Sequence, residues 1–184
     1  MKANIKNFIK HKLLIAIVVI TAIVLLLEVI TSKINIGFNQ SPSLSGRVFL
    51  IVKGTLPKKK LDIVSFKSFD ELTEIKKHGS KYPVGHNSKI KHIIGFSGDV
   101  VLVKRNIEDG TSHIYLNGKD CGIIKEFSLA GVRLFPIING NNSLIIPHGY
   151  YFVWTPHKDS DDSRYSHTGL VHKSQIIGKA YEIL

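Results

Sequence analysis

Lys89-Ile-Lys-His-Ile-Ile-Gly-Phe-Ser-Gly-Asp99-Val-Val-Leu-Val-Lys104 is the stretch that decides the fold class. Two short apolar runs, 90–94 and 100–104, flank a Gly-Phe-Ser-Gly-Asp turn, and Ile and Val dominate both. Runs of this length, bounded by turn residues and rich in β-branched side chains, read as strands. Upstream, Arg47-Val-Phe-Leu-Ile-Val-Lys53 and Leu61-Asp-Ile-Val-Ser-Phe66 repeat the pattern. Downstream, Ser112-His-Ile-Tyr-Leu116 with Asn117-Gly118 reads as a hairpin arm and its turn. Residues 149–154, 169–172 and 176–183 supply further apolar runs, and 156–169 form a long polar loop. A short helix is expected over 68–79, with Ser68 as its cap, Glu71 three residues on and Gly79 at its end. Residues 119–145 read as a small inserted lobe. The expected domain, 31–184, is mainly β, an antiparallel assembly of short strands.

Ahead of it lies a different kind of sequence. Residues 13–30 are apolar except for Thr21 and Glu28, and no polar stripe interrupts them. Eighteen helical residues span about 27 Å, close to the hydrocarbon thickness of a bilayer. Lys2, Lys6, Lys10 and Lys12 precede the run with no acidic residue among them. Basic residues are retained on the cytoplasmic side, so 1–12 is expected inside and the β domain outside, on a single-pass anchor in the cytoplasmic (inner) membrane. The run is longer than the core of a cleaved signal, and no Ala-x-Ala-like site follows it, so the anchor is expected to stay uncleaved.

The 184-residue chain carries a formal charge of +11. Four of the positive charges belong to the N-terminal tail, and the others are dispersed, as in Lys58-Lys59-Lys60 and Lys76-Lys77. No aromatics interleave with them and no nucleic-acid motif is present, so the expected partner is anionic lipid rather than nucleic acid. Cys121 is the only cysteine, which excludes an internal disulfide. Nine histidines lie scattered without metal-ligand spacing, so neither a metal nor another cofactor is expected.

Three segments could carry chemistry. Asn39-Gln-Ser-Pro-Ser-Leu-Ser-Gly46 is a turn by composition. It becomes a nucleophile loop if Pro42 stiffens it and Gly46 lets the backbone turn sharply. In the second segment, Lys91 would share a strand face with Lys89 and Ile93, opposite His92. Most such lysines snorkel to solvent. A desolvated one loses its preference for the charged form and can serve as a general base, which a serine nucleophile requires. The third segment, Asp159-Ser-Asp-Asp-Ser-Arg164-Tyr165, lacks the ligand ladder of a calcium loop, whereas an Asp-Ser-Arg unit can form an internal ion pair that stiffens a loop.

In order and character these segments resemble the signal peptidase I superfamily over about residues 36–184. That family carries Ser-x-Ser after its membrane segment, a Lys eight residues before the Asp of a Gly-x-x-Gly-Asp turn, and a Ser-x-Asp-Ser-Arg box. The matches are Ser41-Pro-Ser43, Lys91 with Gly95-Phe-Ser-Gly98-Asp99, and Ser160-Asp-Asp162-Ser163-Arg164. Asn39-x-Ser-x-Ser-x-x-x-Gly46, the single anchor and Trp154-Thr155-Pro156 before the last box look more like the conjugal-transfer (TraF-type) branch. Ser45 stands where that branch has Pro, and Ser166-His167 where an aromatic-Gly pair is expected.

The resemblance implies a membrane-anchored serine endopeptidase. Ser43 would be the nucleophile and Lys91 the general base, with Lys89 the competing lysine. Ser41 would serve the oxyanion hole, Ser160 would orient the amine, and Asp162 paired with Arg164 would support the site. Its substrate would be an exported precursor, pilin-like or bearing a signal peptide, and the residues leave hydrolysis and cyclisation both open. A general signal peptidase and a non-catalytic membrane-tethered scaffold are the rival readings. About a dozen residues separate the anchor from Ser43, a reach of at most roughly 40 Å, which would keep the site near the outer membrane surface.

Overall fold

The computed structural model describes residues 2–39, 41–68, 88–106, 110–129, 131–140 and 142–184. The helix expected over 68–79 lies, beyond Ser68, outside the described residues. The chain divides into two units, 1–35 and 36–184.

The first unit is dominated by helix α1, Lys2–Lys33, of which Lys10–Lys33 is long and apolar enough to cross a membrane. Its Leu, Ile and Val side chains between Leu13 and Ile30 are exposed all round. The hydroxyls along it find partners within the helix: Thr21 donates to Ile17 O at 2.9 Å, Thr31 to Leu27 O at 2.9 Å and Ser32 to Val29 O at 2.7 Å. Polar groups satisfied in this way carry a smaller cost in hydrocarbon.

In the second unit the strands are β1 (Ile34–Phe38, which begins at the end of the first unit), β2 (Val48–Lys53), β3 (Ile63–Lys67), β4 (Ser88–Gly95), β5 (Val100–Arg105) and β6 (Ser112–Leu116). They continue with β7 (Lys119–Ile124), β8 (Ser143–Ile145), β9 (Tyr150–Trp154), β10 (Val171–His172) and β11 (Ile176–Glu182). Seven of them form one sheet in the order β1-β2-β11-β3-β4-β9-β10, and four form a second, β7-β6-β5-β8. The registered pairs from β2 to β11 are antiparallel. The fold is thus mainly antiparallel β with one N-terminal apolar helix, as the short alternating runs imply. Asn117 and Gly118 both take positive φ, 50° and 80°, which matches the twist of the β6–β7 hairpin they close. Residues 119–145 supply β7 and β8 to the second sheet, with an irregular stretch between them.

Two apolar clusters hold the site in place. Ile94 of β4 and Phe152 of β9 pack with Val101, Ile114 and Leu116, joining the two sheets. Phe49, Ile51, Ile90 and Ala180 form another, with Leu44 of the 39–46 loop packed against it. Strand β4 therefore has apolar anchors on both sides of Lys91, and β2 holds the loop that precedes it.

Candidate active site

The loop between β1 and β2 is closed at its base by a backbone bond from Asn39 N to Arg47 O, 2.9 Å. Within it the Asn39 side chain makes four contacts. Its Nδ2 donates to Leu44 O at 3.2 Å and to Gly46 O at 3.0 Å. Its Oδ1 accepts from Ser41 N at 3.2 Å and from Ser41 Oγ at 3.1 Å. The Ser41 N contact is an Asx-turn, the local bond that Asn forms readily two residues before its partner. The amide thus brackets Ser45 from both sides and supplies a restraint where the TraF-type pattern has Pro. Gly46 does not take positive φ. A Cβ there would lie 2.6 Å from Glu182 Cδ and 2.8 Å from Phe49 Cζ, so glycine is needed for close packing rather than for a sharp turn.

This loop delivers Ser43 to Lys91. Both are buried. Lys91 sits mid-strand on β4, opposite Val64 of β3, and its Nζ lies 3.0 Å from Ser43 Oγ and 2.8 Å from Ser160 Oγ. Ser41 Oγ is 2.6 Å from Ser43 Oγ. Lys89, on the same face of β4, reaches Asp161 instead, Nζ to Oδ2 2.7 Å.

The 157–169 loop is fixed by its own side chains. Ser163 Oγ donates to Gly169 O at 2.6 Å and accepts from Val153 N at 2.9 Å, which pins the loop to β9. The wholly buried Asp162 and Arg164 pair through both carboxylate oxygens, Nε to Oδ1 2.9 Å and Nη2 to Oδ2 3.0 Å. Arg164 Nη2 also donates to His157 O at 2.8 Å and Ser160 O at 3.3 Å, so the ion pair sets the backbone that carries Ser160. Asp161 accepts from His167 Nε2 at 2.5 Å and Thr168 Oγ1 at 2.7 Å as well as from Lys89. His167 stacks on Tyr165 with ring centroids 5.9 Å apart, which defines the packing where an aromatic-Gly pair was expected.

Burial pushes the Lys91 amine down from 10.5 to about 8; Asp162 and Asp161 pull it back up, and Lys89 and Arg164 push it down again. For Asp161, burial acts to raise the carboxyl, but the His167 hydrogen bond and the Lys89 charge outweigh it and hold the group well below the usual carboxylate range.

Each hydroxyl in the chain Asn39–Ser41–Ser43–Lys91 has one proton to give. With Lys91 charged, the ammonium donates to Ser43 and Ser160, Ser43 donates to Ser41, and Ser41 donates to Asn39 Oδ1. With Lys91 neutral, its lone pair accepts the Ser43 proton and Ser41 turns to donate to Ser43. The protonation of one amine therefore sets the direction of the whole chain, and its neutral form is arranged to take a proton from Ser43.

All six side chains singled out from the sequence, Ser41, Ser43, Lys91, Ser160, Asp162 and Arg164, fall in this one cluster. Sequence reading assigned no part to Asn39 beyond the pattern, nor to the Lys89–Asp161–His167 group. The Asn two residues before a Ser was a usable signal for the first; nothing local marks a pairing 72 residues apart for the second. Among the described residues, no group of three or more His, Cys, Asp or Glu is placed to hold a metal ion.

The sequence profile of the family described as "Signal peptidase, peptidase S26" matches residues 5–184. A signal peptidase I of known crystal structure from Enterococcus faecalis V583 is 22% identical, aligned over 68% of this chain and 98% of its own, with a TM-score of 0.38. No curated protein matches the chain.

Proposed function

Because the chain belongs to the signal peptidase S26 family, whose members are serine peptidases acting on signal-peptide-bearing precursors, we propose that it cleaves exported precursors with a Ser43/Lys91 dyad. The observation that carries this reading is the buried amine, pushed down to about 8, at 3.0 Å from the Ser43 hydroxyl. An amine with that value is neutral in roughly a fifth of molecules near physiological pH, where an ordinary lysine is neutral in about one in a thousand.

In the reaction, neutral Lys91 takes the Ser43 proton as Oγ attacks the scissile carbonyl. The oxyanion is met by the Ser43 backbone N–H and the Ser41 hydroxyl, which has only to turn away from its present partners. As the C–N bond breaks, the Lys91 ammonium gives its proton to the leaving amine, and an ester to Ser43 remains. A second nucleophile, water or an amine, then resolves the ester with Lys91 again as base. Ser160 holds the amine on line, and Asp162 with Arg164 holds Ser160. Helix α1 would anchor the enzyme with its basic end in the cytoplasm and the β domain on the outer side of the membrane.

Within the family, we favour a TraF-type role on a pilin-like precursor over general precursor processing. The specific support is the Asn39-x-Ser-x-Ser-x-x-x-Gly46 pattern, whose Asn organises the nucleophile loop through four contacts. Co-expression with a pilin-like precursor, read by intact mass, tests both levels. Trimming by the wild type that is lost in Ser43→Ala and Lys91→Ala but kept in Lys89→Ala is the expected result. A further loss of one water from the product would indicate cyclisation. Equal trimming in all variants would leave the chain as a non-catalytic scaffold.

A further inference from the structure

Beside the Ser43–Lys91 centre lies a cavity of about 580 Å³, within the range of ligand pockets. Its apolar wall comes from Leu129, Val132, Leu134 and Phe135, and its near edge from Ser160 and Asp161. The wall belongs to a tight hairpin: Phe127 bridges Arg133, Ser128 N donates to Val132 O at 2.9 Å, and Leu134 N to Glu126 O at 2.7 Å. Its apolar side chains are unusually bare, Leu129 83%, Val132 62% and Phe135 54% exposed. A cluster of this kind on a surface marks a contact with something else.

We infer that this cavity receives the apolar residues that follow the scissile bond of the precursor, an inference that rests on the Ser43/Lys91 reading. The argument is one of direction. The proton that Lys91 takes from Ser43 must reach the leaving amine, so that amine comes within hydrogen-bond reach of Nζ. Nζ is 2.8 Å from Ser160 Oγ, and Ser160 lines the cavity. The chain beyond the cut therefore leaves across Ser160 towards the hairpin. At about 3.4 Å per extended residue, its second and third residues lie roughly 7–10 Å on, level with the apolar wall, and because side chains alternate one of the two faces it. Basic side chains find no free carboxylate there, and Arg133, which also lines the cavity, repels them. The Asp161 carboxylate is already shared by Lys89, His167 and Thr168, and Lys125 on the same rim is paired with Asp159.

The test uses the full-length chain carrying Ser43→Ala in phosphatidylcholine/phosphatidylglycerol nanodiscs. Fluorescein-labelled peptides keep Ala at the first and third positions before the cut and carry Leu or Lys at the second and third positions after it. Anisotropy should give a Kd about tenfold lower for Leu, the discrimination an apolar pocket supplies. Val132→Asp should bring the ratio to within about twofold, and Val132→Ile should keep it. Both changes spare the hairpin, whose bonds are made by backbone and by Ser128. Equal affinities in the Ser43→Ala parent, or a ratio unmoved by Val132→Asp, would overturn the inference. So would an Asp substitution that weakens binding to lipid vesicles but leaves the peptide ratio intact, since the hairpin would then face the bilayer. Cleavage of the same peptides by the chain with Ser43 restored is scored separately. If Ser43→Ala cleaves as fast, the proposed function falls, while the Kd ratio still judges the cavity.

Discussion

Replacing Lys91 by Met is expected to abolish cleavage and to make the folded domain more stable. The amine stands at about 8 against an ordinary 10.5, and at about 1.4 kcal/mol per tenfold step its burial costs the folded state about 3 kcal/mol. The sign follows from proton counting. Between about 8 and 10.5 the unfolded chain holds a proton on Lys91 that the folded chain does not, so stability rises with pH across that window. Below about 8 both forms are charged and the whole penalty persists. Met fills the space of the lysine stem without a charge but forfeits the contacts to Ser43 and Ser160, a loss of about 1 kcal/mol. The net gain at pH 6 is about 2 kcal/mol, or roughly 4–8 °C in Tm for a domain of this size. At pH 10 the penalty on the wild type has shrunk to about 1 kcal/mol, and the two proteins should melt together. Thermal unfolding of both full-length chains in detergent, followed by near-ultraviolet circular dichroism at pH 6 and pH 10, reads the effect. A Met variant less stable at pH 6, or a gap equal at both pH values, would refute the claim that Lys91 is held against its preference for charge.

The same amine should govern the rate: kcat/KM is expected to rise about tenfold per pH unit up to a midpoint near about 8, and a midpoint near 10.5 in a stopped assay would contradict it. Asp162→Asn leaves the buried Arg164 guanidinium without its charge partner, and should cost ~3–5 kcal/mol in urea unfolding. Asn39→Ala removes the clamp on Leu44 and Gly46 and the acceptor for Ser41. It should lower kcat by up to about a hundredfold with KM little changed, and the loss should be smaller in a Ser41→Ala background, as a steady-state double-mutant cycle would reveal.

The sequence exposed the fold where local chemistry repeats: Val and Ile runs between turn residues became strands, and Asn117-Gly118 became the hairpin turn it resembles. The division into two sheets was not legible, because it depends on which strand each edge meets; β3 pairs with β11, more than a hundred residues away. The site divides in the same way. Ser41, Ser43, Lys91 and the Ser-x-Asp-Ser-Arg box, which the structure gathers into one cluster, stand out in the sequence because fixed spacings carry them. Lys89 reads in the sequence only as a competing lysine, yet its ion pair with Asp161 is part of the surroundings of Lys91. Only three-dimensional proximity reveals that. Gly46 was picked out for a turn, but the neighbours that demand it, Phe49 and Glu182, come from different strands.

These surroundings solve a problem of charge. As the proposed base Lys91 has to give up its proton readily, yet the loop that orients it brings two carboxylates, Asp161 and Asp162, both of which pull its affinity for a proton upward. Left unpaired, they would hold the amine as ammonium and weaken it as the proposed base. Each has a cation of its own: Arg164 takes both oxygens of Asp162, and Lys89 takes Asp161, to which His167 also donates a hydrogen bond. Those cations also act on Lys91 directly, since Lys89 and Arg164 push its amine down. Arg164 thus does two things with one guanidinium: it fixes the backbone of Ser160 and cancels the charge of the group that fixes it. A lysine at 164 could satisfy the charge but not the fork of contacts to Asp162, His157 and Ser160, so the ion pair and the hydrogen-bond scaffold are one requirement rather than two.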